Sequence, residues 1–348
     1  MAKERPHRRL RRASILVVCA ACRLAPGGAG EASEPLPAAP EGGVGVAHPA
    51  DGSVLPPELD SFLREGATRQ STGDPDAAER SLRGGLELEP DHPALRAALG
   101  STLQQSGRTD EAVAEYRRAL EASPDDARTH AQLARALLEV GDLRGAGTHF
   151  TRSLALEPSC EVYADLGLLQ DLLGREDLAR ESYEKGIALD ATCPAPRLSL
   201  AAMLLEDGGY QEAALHYRKA LEGKPTAKAH SGLGFALNQL GRLEEAAAEH
   251  DAAVALDPSL AVVHRNRALT QARLGAYAEA VLSYRRAVAI EPRVSTYYSL
   301  AGVLRAADRR DEAEEAYRRG RELSRSKPRN EAPPRVPGSP HGTGLPER

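Results

Sequence analysis

The chain has 348 residues, a formal net charge of -5 and an isoelectric point near 6.1. That balance argues against nucleic acid as a partner, since its binders present a basic face. Four cysteines are too few for a disulfide framework. Hydrophobic residues make up 41% of the chain, but aromatics only 4%, with no Trp. The chain is long enough for two ordinary domains.

Residues 1–22 carry Lys3, Arg5, Arg8, Arg9, Arg11 and Arg12 against Glu4, followed by a short apolar run from Ala13 to Ala21. A basic start and a short apolar stretch have the shape of an export signal, and the run falls short of the ~20 residues that span a membrane. Ala20 and Ala21 stand just before Cys22. This resembles a bacterial lipobox, which implies lipidation at Cys22 and a bacterial source. Cys19 occupies the place where Leu is usual. The paired arginines hint at a twin-arginine signal, but the residues that should follow them are missing. The other reading is an uncleaved basic tail with a chance apolar run. Residues 23–58 are rich in Gly, Pro, Ala and Ser without helical periodicity, and read as a disordered tether.

From Pro93 to Pro124 the pattern changes. Leu95, Leu99 and Leu103, with Ala98, recur at the spacing of one helix face. Gly107 is placed to stop that helix, and Thr109 or Asp110 to cap the next. Ala112, Val113, Tyr116, Ala119 and Leu120 form a second apolar face, and Pro124 ends it. The same unit then returns. Prolines stand at 90, 124 and 158, and again at 225, 258 and 292. The self-alignment predicts eight units, at 59–92, 93–126, 127–159, 160–193, 194–226, 227–260, 261–293 and 294–325, each a pair of helices, A then B. A repeat of this length marks a helical solenoid.

The units resemble the tetratricopeptide repeat. A Leu followed by a small residue stands on helix A at Leu99-Gly100, Leu133-Ala134, Leu166-Gly167, Leu200-Ala201, Leu233-Gly234 and Leu300-Ala301. An Ala follows at 78, 112, 146, 179, 213, 246, 280 and 313, and an aromatic at Tyr116, Phe150, Tyr183, Tyr217, Tyr284 and Tyr317. A further small residue comes at Gly85, Ala119, Ser153, Gly186, Ala220, Ala253, Ala287 and Gly320. The expected packing sets the small residue of helix A against the Ala of helix B, with the aromatic between one unit and the next. Departures are Glu65 and Leu82 in the first unit, His250 for the aromatic in the sixth, Arg267 for Leu in the seventh and Asp308 for the turn Gly in the eighth. The resemblance implies an all-α, right-handed superhelical solenoid of eight units. Residues 326–348 read as a mildly basic, disordered tail.

No catalytic constellation emerges: His-Glu-x-x-His, a phosphate-cradling Gly-rich loop and Gly-x-Ser-x-Gly are all missing from the sequence. No cofactor and no metal is expected. His130, His230 and His264 share one repeat position and read as packing residues, and His149 and His216 share another without the ligand spacing zinc needs. Cys160 and Cys193 flank the fourth unit, and their equivalent levels in neighbouring units predict two separate thiols rather than a bond.

What remains is the exposed face of the A helices, which lines a concave groove in relatives. The residues expected there are Arg128, Gln132, Arg135, Asp165, Asp171, Lys228, Asn238, Arg265, Asn266, Tyr298 and Arg305. Lys228, Arg265 and Asn266 loosely resemble the clamp by which some relatives hold a peptide C-terminus, in a different register. The expected function is therefore a non-enzymatic, monomeric scaffold that binds a protein or peptide. If the export signal holds, it works in the cell envelope, lipid-anchored or periplasmic, as relatives of this layout do in envelope assembly and secretion. The alternatives are a cytoplasmic adaptor or co-chaperone, an arm of an enzyme, and self-assembly through the end units.

Overall fold

The computed structural model describes residues 56–223 and 225–326. The export segment, Cys22, most of the tether and residues 327–348 lie outside the described residues. Among the described residues the chain forms sixteen α-helices and no strand, in eight consecutive A and B pairs. They are α1 (Pro57–Ser71), α2 (Pro75–Leu88), α3 (Pro93–Gln105), α4 (Thr109–Ala122), α5 (Ala127–Glu139), α6 (Leu143–Leu156), α7 (Cys160–Leu172) and α8 (Glu176–Leu189). There follow α9 (Pro194–Asp207), α10 (Tyr210–Gly223), α11 (Ala227–Gln239), α12 (Leu243–Leu256), α13 (Ala261–Arg273), α14 (Tyr277–Ile290), α15 (Val294–Ala306) and α16 (Arg310–Ser326). None of these helices is long and apolar enough to cross a membrane. The last helix takes in Ser326, which the sequence assigns to the tail.

The helices belong to two compact units, one through Ser199 and one from Leu200. The first has a continuous core that includes Leu63, Leu82, Leu95, Leu99, Tyr116, Leu133, Phe150 and Leu169. The second has a core around Ala268, Val281, Tyr284, Leu300, Ala301 and Leu304.

The A-to-B turns close alike. Gly73, Gly107, Gly141, Gly174, Gly208, Gly241 and Gly275 all take a positive φ, and Asp308 does the same at φ 56°. Glycine occupies that backbone region without steric cost, and Asp is one of the few other residues to tolerate it. The expected cap of α4 is a correction. Arg108 holds the N-cap position and contributes no side-chain cap, while Thr109 and Asp110 are already helical. Thr109 instead gives its hydroxyl to Glu139 at 3.2 Å, and Asp110 sits in the first turn, where a carboxylate suits the helix dipole. Side-chain caps do occur at Asp74, Asp126, Asp142 and Thr226.

The small residue on helix A has a neighbour that the sequence pattern does not reveal. It lies beneath the aromatic of its own repeat. A Cβ added at Gly100 would stand 2.8 Å from the Tyr116 ring, and one at Gly167 would stand 2.5 Å from Tyr183. In the first repeat Leu82 takes the place of the ring over Gly66, at 2.7 Å, so that departure keeps the same packing. Tyr217 also reaches the next repeat, where a Cβ at Gly232 would lie 2.4 Å from its ring.

Crowding at Gly167 contrasts with Gly302 on α15, where a Cβ would meet nothing within 4 Å. Gly167→Ala is therefore expected to destabilise by about 1–3 kcal/mol through overpacking. Gly302→Ala is expected to stabilise by about 0.5–1 kcal/mol through helix propensity. Denaturant unfolding of the two variants checks the opposite signs.

Candidate protein-interaction face

The A helices carry a line of polar side chains, and many of these bond the next A helix. In the first unit Gln70 of α1 donates to Ser101 of α3 at 2.9 Å. Gln104 of α3 donates to Glu139 of α5 at 2.8 Å. Arg135 of α5 donates to the buried Asp165 of α7 at 2.6 Å. In the second unit Asn266 of α13 donates to Ser231 of α11 at 3.0 Å, and Asn238 of α11 to Thr270 of α13 at 2.7 Å. Arg273 adds a bond to the side-chain oxygen of Asn238 at 2.6 Å and another to its carbonyl.

The structure thus divides the expected groove residues. Arg135, Asn238 and Asn266 are rungs between successive A helices. Asn238 is fully buried, with 1% of its surface exposed, so it lines no open face. Arg265 donates to Glu291 at 3.1 Å in the loop after α14, and burial, then the nearby Arg293, hold its pKa below the usual arginine value. Tyr298 packs on α16, with its ring 5.8 Å from that of Tyr317 and close over Gly320. Arg128 and Arg305 are exposed, and Gln132, Lys228 and Asp171 are half-buried. Lys228, Arg265 and Asn266 come from α11 and α13 of one unit, and Arg265 and Asn266 bond Glu291 and Ser231 within the fold. Sequence spacing places these side chains on one face without revealing which of them bond a neighbour 30 to 35 residues away.

A second polar theme lies inside three of the repeats, where the fourth residue of the unit meets the twenty-third. Arg96 and Glu115 pair at 2.7 Å. His230 Nδ1 meets Glu249 at 2.7 Å. His130 and His149 meet through their Nδ1 atoms at 2.9 Å. The tautomers follow from the other ring nitrogen. Pro124 offers only a carbonyl to His130 Nε2 at 2.9 Å, so His130 carries its proton there and accepts at Nδ1. His149 then donates. Burial, together with His130 and Arg117, holds the His149 pKa below the ordinary histidine value. His264 uses Nε2 on the Pro258 carbonyl in the same way. These histidines are satisfied packing residues, as their shared position suggests. The partners missed by a search for helical spacing are 19 residues apart, on facing helices.

The expectation of two separate thiols is overturned. Cys160 and Cys193 form a disulfide with Cα atoms 6.5 Å apart. The turn after α8 brings Cys193, the residue before α9, back over the first residue of α7. Cys160, Glu161 and Cys193 are the one cluster of three or more metal-type donors among the described residues, and the bond between its two sulfurs leaves no pair of thiolates for an ion.

Charged rims and an apolar floor also form an open crevice of about 590 Å³ beside α16, walled by Arg285, Glu312, Glu315 and Arg319 over Leu300 and Leu304. Its rim is internally neutralised, with Arg285 on Glu312 and Arg319 on Glu315. Nothing in it resembles an acid–base pair or an activated nucleophile.

Three models of the tetratricopeptide repeat match the chain, at residues 71–128 and 103–169, 161–193, and 198–261. Together they cover more than half of it, and the chain belongs to the tetratricopeptide repeat family. No protein of curated function matches it. Among solved structures it is similar to a chain of the APC/C hetero-tetramer Cut9-Hcn1, with a TM-score of 0.59 and 20% identity over 72% of this chain. The chain spans 48% of that protein's length. A tetratricopeptide repeat protein from Parabacteroides merdae gives a TM-score of 0.53 at 18% identity, covering 76% of this chain and 99% of the other. Pseudomonas aeruginosa pilF gives 0.52 at 22%, covering 63% and 97%. These likenesses concern the fold. Repeats of this family hold proteins and peptides, and the chain is a protein-interaction scaffold.

The buried rung in the second unit yields a test. Asn238→Ala removes the bonds to Thr270 and Arg273 and leaves their polar groups without those partners. It is expected to cost about 1–3 kcal/mol, while Gln132→Ala changes stability by less than about 0.5 kcal/mol. Urea unfolding of both variants distinguishes a rung from a residue merely on the same face.

Proposed function

We propose that this chain is a non-enzymatic scaffold that works after export, held to a membrane through Cys22 and the Pro- and Gly-rich segment that follows. Its A-helix faces hold a protein or peptide partner, in an envelope-assembly or secretion role. Arg128 of α5 and Arg305 of α15 are the contact residues, each on its own unit's A-helix face, because both are exposed while Arg135 and Arg265 are half-buried.

The Cys160–Cys193 disulfide is the observation that carries the export reading. Reducing compartments keep thiols free, whereas disulfides persist outside the cytoplasm. The basic start and short apolar run of residues 1–22 point the same way. An enzyme reading has no support from the described side chains, which are paired with one another rather than converging on a reaction site.

Export is tested on the full chain in its own cells. Fractionation is expected to place it with the envelope, and mass spectrometry to find a lipidated Cys22 as the mature N-terminus. Both Cys160 and Cys193 are expected to resist alkylation until a reductant is added. An unprocessed Met1 in the soluble fraction, with both thiols open, overturns export. The cross-link closes a loop spanning 33 residues. Reduction, or the change Cys160→Ser with Cys193→Ser, is expected to cost about 3–4 kcal/mol by loop-closure entropy, measured by unfolding with and without reductant.

The partner-binding face is tested by capture from envelope extract. Arg128→Glu with Arg305→Glu is expected to lower retention of bound protein at least tenfold. Arg286→Glu, exposed on a B helix, is expected to leave it unchanged. Equal retention by all three proteins removes the A-helix face as the site.

A further inference from the structure

His250 stands where six repeats carry an aromatic, and it takes the ring's place completely. It is 0% exposed. Gly234 of α11 lies beneath it, where an added Cβ would come within 2.6 Å of the imidazole. The rings of Phe150 and the tyrosines in that slot carry no polar ring atom, and Tyr116 sends its hydroxyl out to Gln104 at 3.3 Å, but an imidazole has two polar nitrogens within the ring. Neither Nδ1 nor Nε2 of His250 has a hydrogen-bond partner. Two buried histidines on A helices, His130 and His264, each reach a proline carbonyl instead.

The next repeat departs at the facing position. Arg267 of α13 replaces the expected Leu, and its Nε stands 2.7 Å from Asp251, the residue after His250. The approach is off the N–H direction, so this is an ion pair with the Nε hydrogen left unbonded. The charged surroundings of His250 are therefore Arg267 from α13 and its counterion Asp251 on α12 itself. Toward α11 the ring meets Gly234, and the neighbouring Glu249 is engaged by His230.

We infer that the joint between the repeats of α11–α12 and α13–α14 is an acid-sensitive hinge whose trigger is the buried, unpartnered ring of His250 beside Arg267. A proton on that ring creates a buried cation with no acceptor, next to a second cation. The favourable response is to open the joint and let water reach the ring. Opening would also strain the rungs that cross the same joint, Asn238 to Thr270 and Asn266 to Ser231. The consequence for a partner rests on the proposed A-helix face. The hinge itself does not, so the two can fail separately.

Burial first, and Arg267 second, push the His250 pKa down to about 4. The unfolded value is near 6.5. A depressed histidine leaves stability intact above the unfolded value and erodes it as the pH falls from there toward the folded value. At pH 5 the opening equilibrium is expected to rise about 30-fold over pH 8.

Hydrogen exchange of the full chain, corrected for the intrinsic pH dependence, reads this directly. Between pH 8 and pH 5, amides of α12 and α13 are expected to lose about 30-fold in protection, while those of α8 and α9, which contain no histidine, hold theirs. His250→Phe restores an aromatic and is expected to abolish the loss. An equal loss in that variant, or no loss in the natural chain, overturns the hinge. If the variant does not fold, the His250 ring is titrated by NMR in the natural chain. A pKa depressed toward 4 sustains the proposal, and an ordinary histidine value overturns it.

Discussion

The packing of both compact units depends on one close approach, a small residue of helix A beneath the bulky residue of helix B in the same repeat. Where Gly100 meets Tyr116 and Gly167 meets Tyr183, no space remains for even a methyl group without movement. That contact brings the two helices of a pair together and leaves the far edge of the ring for the next repeat, as Tyr217 over Gly232 illustrates. Neighbouring repeats then need no large core of their own. Each adds a thin layer of Leu and Ala, which is why so few aromatics serve so long a chain. Stability in such an array is close to a sum of repeat and nearest-neighbour terms, so each departure from the pattern is felt where it occurs.

Polar residues follow the same local logic. The fourth and twenty-third positions face each other within a repeat, and different repeats fill them with different chemistry: Arg96 with Glu115, His130 with His149, His230 with Glu249. Each pair is shielded enough that a missing partner would be costly. The rungs between A helices work across repeats instead. They place Arg135 on Asp165 and Asn266 on Ser231, which orders the face presented to a partner. Side chains bonded in this way add rigidity and shape to that face.

Much of this was legible in the residues. The helical period, the turn glycines and the proline spacing locate the helix pairs to within a few residues, because each depends on local backbone preference. The resemblance to the tetratricopeptide repeat rests on small and aromatic residues in register, and the packing bears it out. Tyr217 over Gly232 meets the expectation of an aromatic between repeats, but a spacing of 16 residues does not say that a ring also covers the small residue of its own helix A. The capping of α4 was misjudged because Thr109 and Asp110 both have capping side chains, and only the backbone shows that the helix has already begun. The rungs were invisible as bonds, since Asn238 and Thr270 are 32 residues apart and each alone reads as a solvated polar residue. Equivalent levels in successive repeats suggest that Cys160 and Cys193 lie too far apart to bond, but the turn before α9 brings their Cα atoms to 6.5 Å.

Two departures that looked unrelated in the sequence become one feature in space. His250 breaks the aromatic pattern of one repeat and Arg267 breaks the Leu pattern of the next, and each is explained only by the other's position. A Leu at 267 beside an aromatic at 250 would make an ordinary dry contact, stable at any pH. The pair present replaces it with an imidazole that is buried and unbonded and a guanidinium held by Asp251 at the rim. Such a contact is neutral and well packed while the ring lacks a second proton, and it fails when the ring gains one. Because repeats contact mainly their neighbours, a joint built this way can yield without unfolding the rest of the array. The weak point is therefore confined to one joint, and it is set by protonation instead of by loose packing.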